Sequence, residues 1–110
     1  METISFEDFK KLEIRIGKII SAEKVGGSDK LLKLEVEFRE GERRQIIAGI
    51  AQYYAPDELL GKECPFAYNL APRTLRGLES QGMILCPSND AGQPVLLHPD
   101  KEVPPGTLIK

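Results

Sequence analysis

The sequence predicts an all-β fold, a small barrel of five short strands. Two observations lead to this prediction: apolar and polar residues alternate in several short runs, and Gly-rich or Pro-rich turns separate those runs. A third observation is a short helical stretch between the third and fourth strands. Five short strands with a helix in that position describe the OB-fold, a partly open Greek-key barrel. An SH3-like barrel, which usually lacks that helix, and a small sandwich are the alternatives.

A short N-terminal helix is predicted to lead directly into the first strand. Ser5 can cap this helix, and Asp8 follows three residues later, as in a capping box. From Leu12 to Ile16 apolar residues alternate with charged ones, which is strand periodicity. The alternation slips after Gly17, and a glycine at such a slip predicts a bulge or bend that lets one strand serve two sheets.

The remaining strands are predicted from shorter runs. Residues 32–38 show the clearest alternation in the chain, and the turn at 39–42 connects them to a partner strand at 44–48. Pro56 begins the short helix and Gly61 follows it, the usual order for these two residues. Residues 64–69 and 82–86 are predicted to be the last two strands.

The chain is expected to form a single domain over residues 1–110, in which residues 87–110 are a C-terminal extension. This extension contains four prolines before the Pro105-Gly106 turn, and its apolar residues are few. Val95, Leu96, Leu97, Leu108 and Ile109 need a surface to cover them. That surface could be a second copy of the chain or the open end of the barrel.

Composition places limits on function. The 110 residues are 41% hydrophobic and 29% charged, and 15 Lys and Arg against 17 Asp and Glu give a net charge of −2. Bulk positive charge for nucleic-acid binding is therefore absent. No apolar run approaches the roughly 18 residues of a membrane-spanning helix, and the acidic N-terminus does not resemble a signal peptide. We therefore expect a cytoplasmic location and no membrane partner.

No catalytic or metal site is predicted. The single histidine, His98, would need an orienting group to activate Cys64 or Cys86, and Asp100 is poorly placed for that role. Both cysteines are better interpreted as small apolar strand residues, with His98 as a solvated loop residue. One His and two distant Cys match no metal-ligand spacing, and no phosphate-binding loop motif is present. We expect no cofactor.

The positions of the basic residues are more informative than their number. Lys30 and Lys33 flank the start of the second strand, and Arg43 and Arg44 open the third. Residues 69–83 combine two arginines with amides and hydroxyls, the donors and acceptors that contact phosphates and base edges. In an OB-fold this loop borders the usual nucleic-acid face. The residue chemistry alone leaves ligand binding and loop architecture as equal alternatives.

Four segments of the chain closely resemble the dimeric tRNA-binding domain family. They are FKKLEIRIGKI at 9–19, DKLLKL at 29–34, RQIIAGIA at 44–51 and NLAPRTLRGLESQGM at 69–83. The family includes the C-terminal domain or separate subunit of methionyl-tRNA synthetases, stand-alone bacterial tRNA-binding proteins and the cytokine-like domain of the animal synthetase complex. The resemblance extends over about residues 5–109, in family order.

The resemblance implies a non-catalytic OB-fold homodimer that binds tRNA by its overall shape, alone or with a methionyl-tRNA synthetase catalytic subunit. The N-terminal helix and the extension would then form the dimer. The residues that match the family's binding segments are Lys30, Lys33, Asn69, Arg73, Arg76, Ser80, Gln81 and Met83.

One departure from the family and one alternative function remain. Many members have His-Pro before the DKL stretch, where this chain has Val25-Gly26-Gly27-Ser28, so any contact made by those side chains is missing. The CsaA-like export chaperones share the fold and the Pro-Pro-Gly tail. The alternative function is therefore the binding of unfolded protein segments.

Overall fold

A computed structural model describes all residues from 1 to 110, and β-strands dominate it. None of its helices is long and apolar enough to span a membrane. The elements are α1 (Phe6–Phe9), β1 (Ile14–Lys24), β2 (Leu32–Arg39), β3 (Glu42–Ala48), a 3-10 helix (Pro56–Leu59), β4 (Glu63–Ala67), β5 (Arg73–Leu75), β6 (Leu78–Ser80), β7 (Met83–Ile84) and β8 (Leu108–Ile109).

The main sheet is antiparallel and follows the order β3-β2-β1-β4-β7, with β8 paired to β1 outside this path. The long strand β1 is shared between two partners, because Ile14–Lys18 pair with β4 and Lys18–Lys24 pair with β2. This sharing curls the sheet into a half-barrel. The predicted five-stranded OB-type fold is confirmed, as are the N-terminal helix and the short helix between β3 and β4.

The predicted bulge is present in β1, at the slip in alternation formed by Ile19 and Ile20. The register with β2 shifts between Ile19 and Ser21, and not at Gly17. Gly17 has a different role, since a Cβ atom there would lie 2.5 Å from Val36 Cγ1 and 2.9 Å from Phe38 Cε1. Glycine is therefore required at position 17, because the backbone of β1 lies in direct contact with these two core side chains.

The segment from residue 73 to residue 86 differs most from the prediction. Residues 73–80 form a separate two-stranded hairpin, β5–β6, within the segment that was expected to be a loop. The last core strand, β7, contains only Met83 and Ile84, so Cys86 lies outside it. By contrast, the start of the chain matches the prediction, because the Ser5 hydroxyl accepts the Asp8 N–H of α1 at 3.1 Å.

The core lies inside the curled sheet. Phe38 packs edge-on against Phe66, with ring centroids 5.4 Å apart, and against Tyr68 at 5.0 Å. Around these rings lie buried aliphatic residues of β1 to β4 and of the 3-10 helix, among them Ile19, Leu32, Leu34, Val36, Ile46 and Leu59. The alternation in β2 therefore has the predicted meaning, with its even-numbered residues facing inward.

The C-terminal extension packs against its own barrel. It pairs with the half of β1 that β2 leaves free: Leu108 lies opposite Arg15, and Ile109 lies opposite Ile14. The Gly106 N–H donates to the Ile16 carbonyl at 2.7 Å, which continues this pairing. The extension therefore covers an open edge of the sheet, while four of its apolar residues, Val95, Leu97, Leu108 and Ile109, remain exposed.

Gly106 is predicted to be the least replaceable residue of the extension. Its φ is 91°, and a Cβ atom there would overlap the Phe38 carbonyl. Gly106→Ala should lower the free energy of unfolding by about 3 kcal/mol or more, measured by urea denaturation. The matched control is Gly92→Ala, where φ is 76° but nothing lies within 4 Å. The control should cost only about 1–2 kcal/mol, and equal losses in the two variants would contradict the close approach.

Candidate nucleic-acid interface

The hairpin β5–β6 ends in a tight turn at Arg76 and Gly77. Both residues have positive φ angles, 51° and 78°, as in the two-residue turns that match the twist of paired strands. Asn-Gly is the favoured sequence for such a turn, and Arg76 is the only residue other than glycine with positive φ in the chain. An L-residue held in this region costs about 1–2 kcal/mol. Strain of this kind clusters at functional sites, so Arg76 is a functional candidate on geometry alone.

The two arginines of the hairpin are not neutralised. Arg73 and Arg76 are exposed, and neither side chain makes an ion pair or a hydrogen bond. Lys30, in the turn before β2, is free in the same way. Lys33 differs, because its Nζ lies 2.7 Å from Glu23 Oε1 across β1 and β2. The Lys33 side chain is 37% exposed and that of Glu23 64%, so solvent weakens this pair and a phosphate could replace the carboxylate.

Ser80 and Gln81 join the hairpin to the edge of β3. The Ser80 hydroxyl, in a residue only 4% exposed, accepts the Ile47 N–H at 2.9 Å and donates to the Gly82 carbonyl at 2.9 Å. The Gln81 N–H donates to the Gln45 carbonyl at 2.8 Å, and the Gln81 side-chain oxygen accepts the Gln45 N–H at 2.9 Å. The three of these hydrogen bonds that reach β3, here called the seam, close one side of the half-barrel.

Asn69 and Met83 lie at the two ends of the same segment. The Asn69 side-chain oxygen accepts the Glu13 N–H at 2.8 Å, and its amide nitrogen donates to the Lys11 carbonyl at 2.7 Å. Asn69 therefore connects the segment to the residues that precede β1. Met83 is 42% exposed in β7, opposite Ala67. Its side chain is available for contact with a ligand, whereas the side-chain polar groups of Asn69 and Ser80 and the side-chain oxygen of Gln81 have partners within the chain.

Sequence reasoning missed the residues beneath the hairpin, above all Arg44. Its guanidinium carbon lies 3.7 Å from the centroid of the Tyr68 ring, and its Nη1 donates to the Tyr68 carbonyl at 2.6 Å. A signal was present, because Arg44 has the same phase in β3 as the buried residues Ile46 and Ala48. A charged residue in phase with the core requires internal partners.

Glu42 supplies the negative charge near this guanidinium. The Tyr68 hydroxyl donates to the Glu42 carboxylate at 2.7 Å, and this hydrogen bond, assisted by Arg39, lowers the pKa of Glu42 against the opposing effect of burial. Arg44 Nη2 lies 3.8 Å from the same carboxylate. Glu42, Arg44 and Tyr68 line a surface cavity of about 460 Å³ next to the seam.

Cys64 and His98 lie close together in the structure, so this pair can be tested as a catalytic one. The Cys64 Sγ lies 3.7 Å from His98 Nδ1, but this nitrogen is also 2.7 Å from the Glu63 carbonyl oxygen. Since a carbonyl only accepts, Nδ1 carries the proton and cannot take one from the thiol. Burial raises the pKa of Cys64 to about 12. The pair therefore lacks the features of an activated nucleophile.

Native Cys64 is expected to resist alkylation. At pH 8 a pKa of about 12 leaves about a thousandfold less thiolate than the ordinary value of 9.0 would, and the side chain is fully buried. Iodoacetamide labelling followed by mass spectrometry should modify Cys64 only after urea is added. The same experiment on Cys64→Ala identifies the signal of Cys86. Rapid labelling of Cys64 in the native protein would show that the thiol is activated.

Comparison with known proteins identifies close relatives. The family described as "Putative tRNA binding domain" matches residues 14–108. Methionine--tRNA ligase of Archaeoglobus fulgidus is 52% identical over 108 residues, and that of Methanococcoides burtonii is 49% identical over 108 residues. In both cases the match covers 98% of this chain but 16% of the ligase, so the chain spans about one sixth of these relatives.

Solved structures extend the comparison to complete folds. A MetRS related protein from Pyrococcus horikoshii superimposes with a TM-score of 0.93 at 37% identity and covers 100% of both chains. The chaperone CsaA of Bacillus anthracis gives a TM-score of 0.89 at 34% identity and covers 99% of this chain and 100% of its own. The C-terminal domain of Plasmodium vivax p43 gives 0.86 at 31% identity, covering 96% of this chain and 63% of that one.

Proposed function

Because the chain belongs to the tRNA-binding domain family, we propose that it binds tRNA and does not modify it. Lys30, Lys33, Arg73 and Arg76 contact phosphates, and Met83 contacts the ribose or base surface. Structured RNA is recognised mostly through its shape, by contacts to phosphates and 2′-hydroxyls, so such a site needs few base contacts. We further propose cytoplasmic binding that does not depend on the anticodon sequence.

The observation that carries this proposal is the hairpin, with two unpaired arginines and a strained Arg76 at its tip. A protein of net charge −2 has no overall electrostatic attraction for a polyanion. Binding must then come from a local group of cations with a fixed position. The hydrogen bonds of Asn69, Ser80 and Gln81 provide that position, so their contribution to binding is indirect.

The double variant Arg73→Ala/Arg76→Ala is expected to bind tRNA more weakly, and its affinity should depend less steeply on salt concentration. Each lost phosphate contact should reduce the slope of log K against log salt by about one, so the double variant should lose about two. A filter-binding titration of tRNA at four salt concentrations measures both quantities. Arg43→Ala is the matched control, because Arg43 already pairs with Glu35 at 3.0 Å. Unchanged affinity in the double variant would refute the site.

Arg76→Asn separates loss of binding from loss of fold. Asparagine tolerates positive φ better than arginine, so this variant should be at least as stable as the wild type in thermal denaturation. Its tRNA affinity should nevertheless fall, and its salt slope should drop by about one. A stable variant that binds as tightly as the wild type would exclude Arg76 from the interface.

We also propose that the chain acts as a homodimer. Two apolar surfaces remain exposed: α1, where Phe6 is 69% exposed, and the extension, where Leu97, Leu108 and Ile109 are each at least 41% exposed. A groove of about 320 Å³ between Ile16, Leu97, Val103 and Ile109 lies on the second surface. A dimer would place two hairpins on one tRNA and thereby increase affinity.

The dimer should depend on α1. Phe6→Ser/Phe9→Ser removes its two aromatic rings, and light scattering should then give the monomer mass of 12.2 kDa instead of twice that value. Leu60→Ser is the control, since Leu60 is 52% exposed but follows the 3-10 helix, outside these two surfaces. A wild-type protein that remains monomeric at high micromolar concentration would contradict the proposal.

The similarity to CsaA supports a second candidate, binding of unfolded protein segments, because the exposed apolar groove could accept them. This function predicts little dependence on salt, whereas tRNA binding predicts a steep fall in affinity. The tRNA titration therefore distinguishes the two. For tRNA binding, attachment to a methionyl-tRNA synthetase would raise the local concentration of the tRNA.

A further inference from the structure

We propose that Arg44 positions the tRNA-binding hairpin by holding both ends of the segment that carries it. The consequence for binding rests on the proposed function. The contacts that Arg44 makes to both ends of the segment, here called the clamp, can be tested without tRNA. Arg44 is one of the two basic residues that open β3, and no phosphate contact has been assigned to it. The geometry points to a role inside the protein.

One guanidinium reaches both ends of the hairpin segment. Arg44 Nη1 donates to the Tyr68 carbonyl at 2.6 Å and to the Gln81 carbonyl at 3.3 Å. Tyr68 directly precedes the segment 69–80, which carries the hairpin, and Gln81 directly follows it. These carbonyls belong to neither β4 nor β7, so no strand partner fixes them. Arg44 therefore links Tyr68 and Gln81, the two residues that flank the segment carrying the hairpin.

The guanidinium is itself held in place. It stacks on the Tyr68 ring, with 3.7 Å from its carbon to the centroid, and the Glu42 carboxylate lies 3.8 Å from Nη2. Its side chain is 24% exposed, and its backbone lies opposite the fully buried Val36. A cation with these partners is poorly placed to reach a phosphate. It is well placed to fix the angle between the hairpin and the barrel.

Lysine cannot replace this arrangement. The lysine ammonium keeps the charge, but it lacks the planar guanidinium group. It therefore cannot stack on the Tyr68 ring while donating hydrogen bonds to both carbonyls. In Arg44→Lys the seam at Ser80 and Gln81 remains, while the other end of the segment loses its link to β3 and is held only by the hydrogen bonds of Tyr68 and Asn69 to the residues before β1. The hairpin must then be ordered again each time tRNA binds. This ordering cost does not involve ions, so it should be the same at every salt concentration.

Hydrogen exchange on the free protein tests the clamp directly. In Arg44→Lys, the amides of Arg73–Leu75 and Leu78–Ser80 should exchange about tenfold faster or more, and those of β1 and β2 should be unchanged. Arg43→Lys, one residue away, should leave all rates as in the wild type. Equal rates in the hairpin, or an increase spread evenly over all strands, would overturn the proposal. If Arg44→Lys does not fold, Arg44→Gln, whose neutral amide can serve one carbonyl, is measured in the same way.

Binding of tRNA tests the functional consequence. Arg44→Lys should weaken affinity by about tenfold at every salt concentration and keep the wild-type salt slope. In the Arg73→Ala/Arg76→Ala background the same change should cost nothing further, because Arg44 acts through the hairpin. A slope reduced by about one would make Arg44 a direct phosphate contact and overturn the proposal. If the wild type does not bind tRNA, the proposed function fails, while the exchange rates still decide the clamp.

Discussion

The edge of β3 that faces away from β2 has to be satisfied before the half-barrel can close. An unpaired strand edge exposes N–H and C=O groups and invites contact with other chains. β7, which would supply the closing strand, contains only two residues. Ser80 and Gln81 satisfy this edge instead. Their backbone and side-chain groups form hydrogen bonds with the backbone of Gln45 and Ile47. The hairpin is therefore mounted on the sheet by the same hydrogen bonds that close the fold.

Closing the fold with neutral groups has an electrostatic consequence. Amides and a hydroxyl form the seam, so no hairpin arginine is used for stability. Elsewhere, cations at the start of β3 and in β2 are paired with acids, as Arg43 is with Glu35 and Lys33 with Glu23. The surface thus combines a negative net charge with two unpaired arginines held close together on the hairpin. Such a distribution disfavours non-specific binding to polyanions and favours a ligand whose shape fits the hairpin.

The sequence predicted the fold well because burial on one face of a strand leaves a period of two. The bulge follows the slip in alternation at Ile19 and Ile20, but the role predicted for Gly17 was wrong, since that glycine is required by the close approach of Val36 and not by a change of register. In the site, residue type identified polar groups correctly, but it could not show that Ser80 and Asn69 have internal partners. Those partners, Ile47 and Glu13, are distant in sequence and near only after folding. Arg44 was detectable by its phase in β3.

A shared backbone does not decide between the two candidate functions. A chaperone and a MetRS related protein both superimpose on this chain over nearly their whole length. Function must therefore be argued from the side chains that the fold presents. A site for unfolded segments gains nothing from an arginine held at positive φ, because apolar contact does not require a cation at a fixed point. A site for phosphates does gain, since preorganised charge avoids the ordering cost of binding. The strain at Arg76 is thus the feature of the hairpin that favours RNA over protein as its ligand.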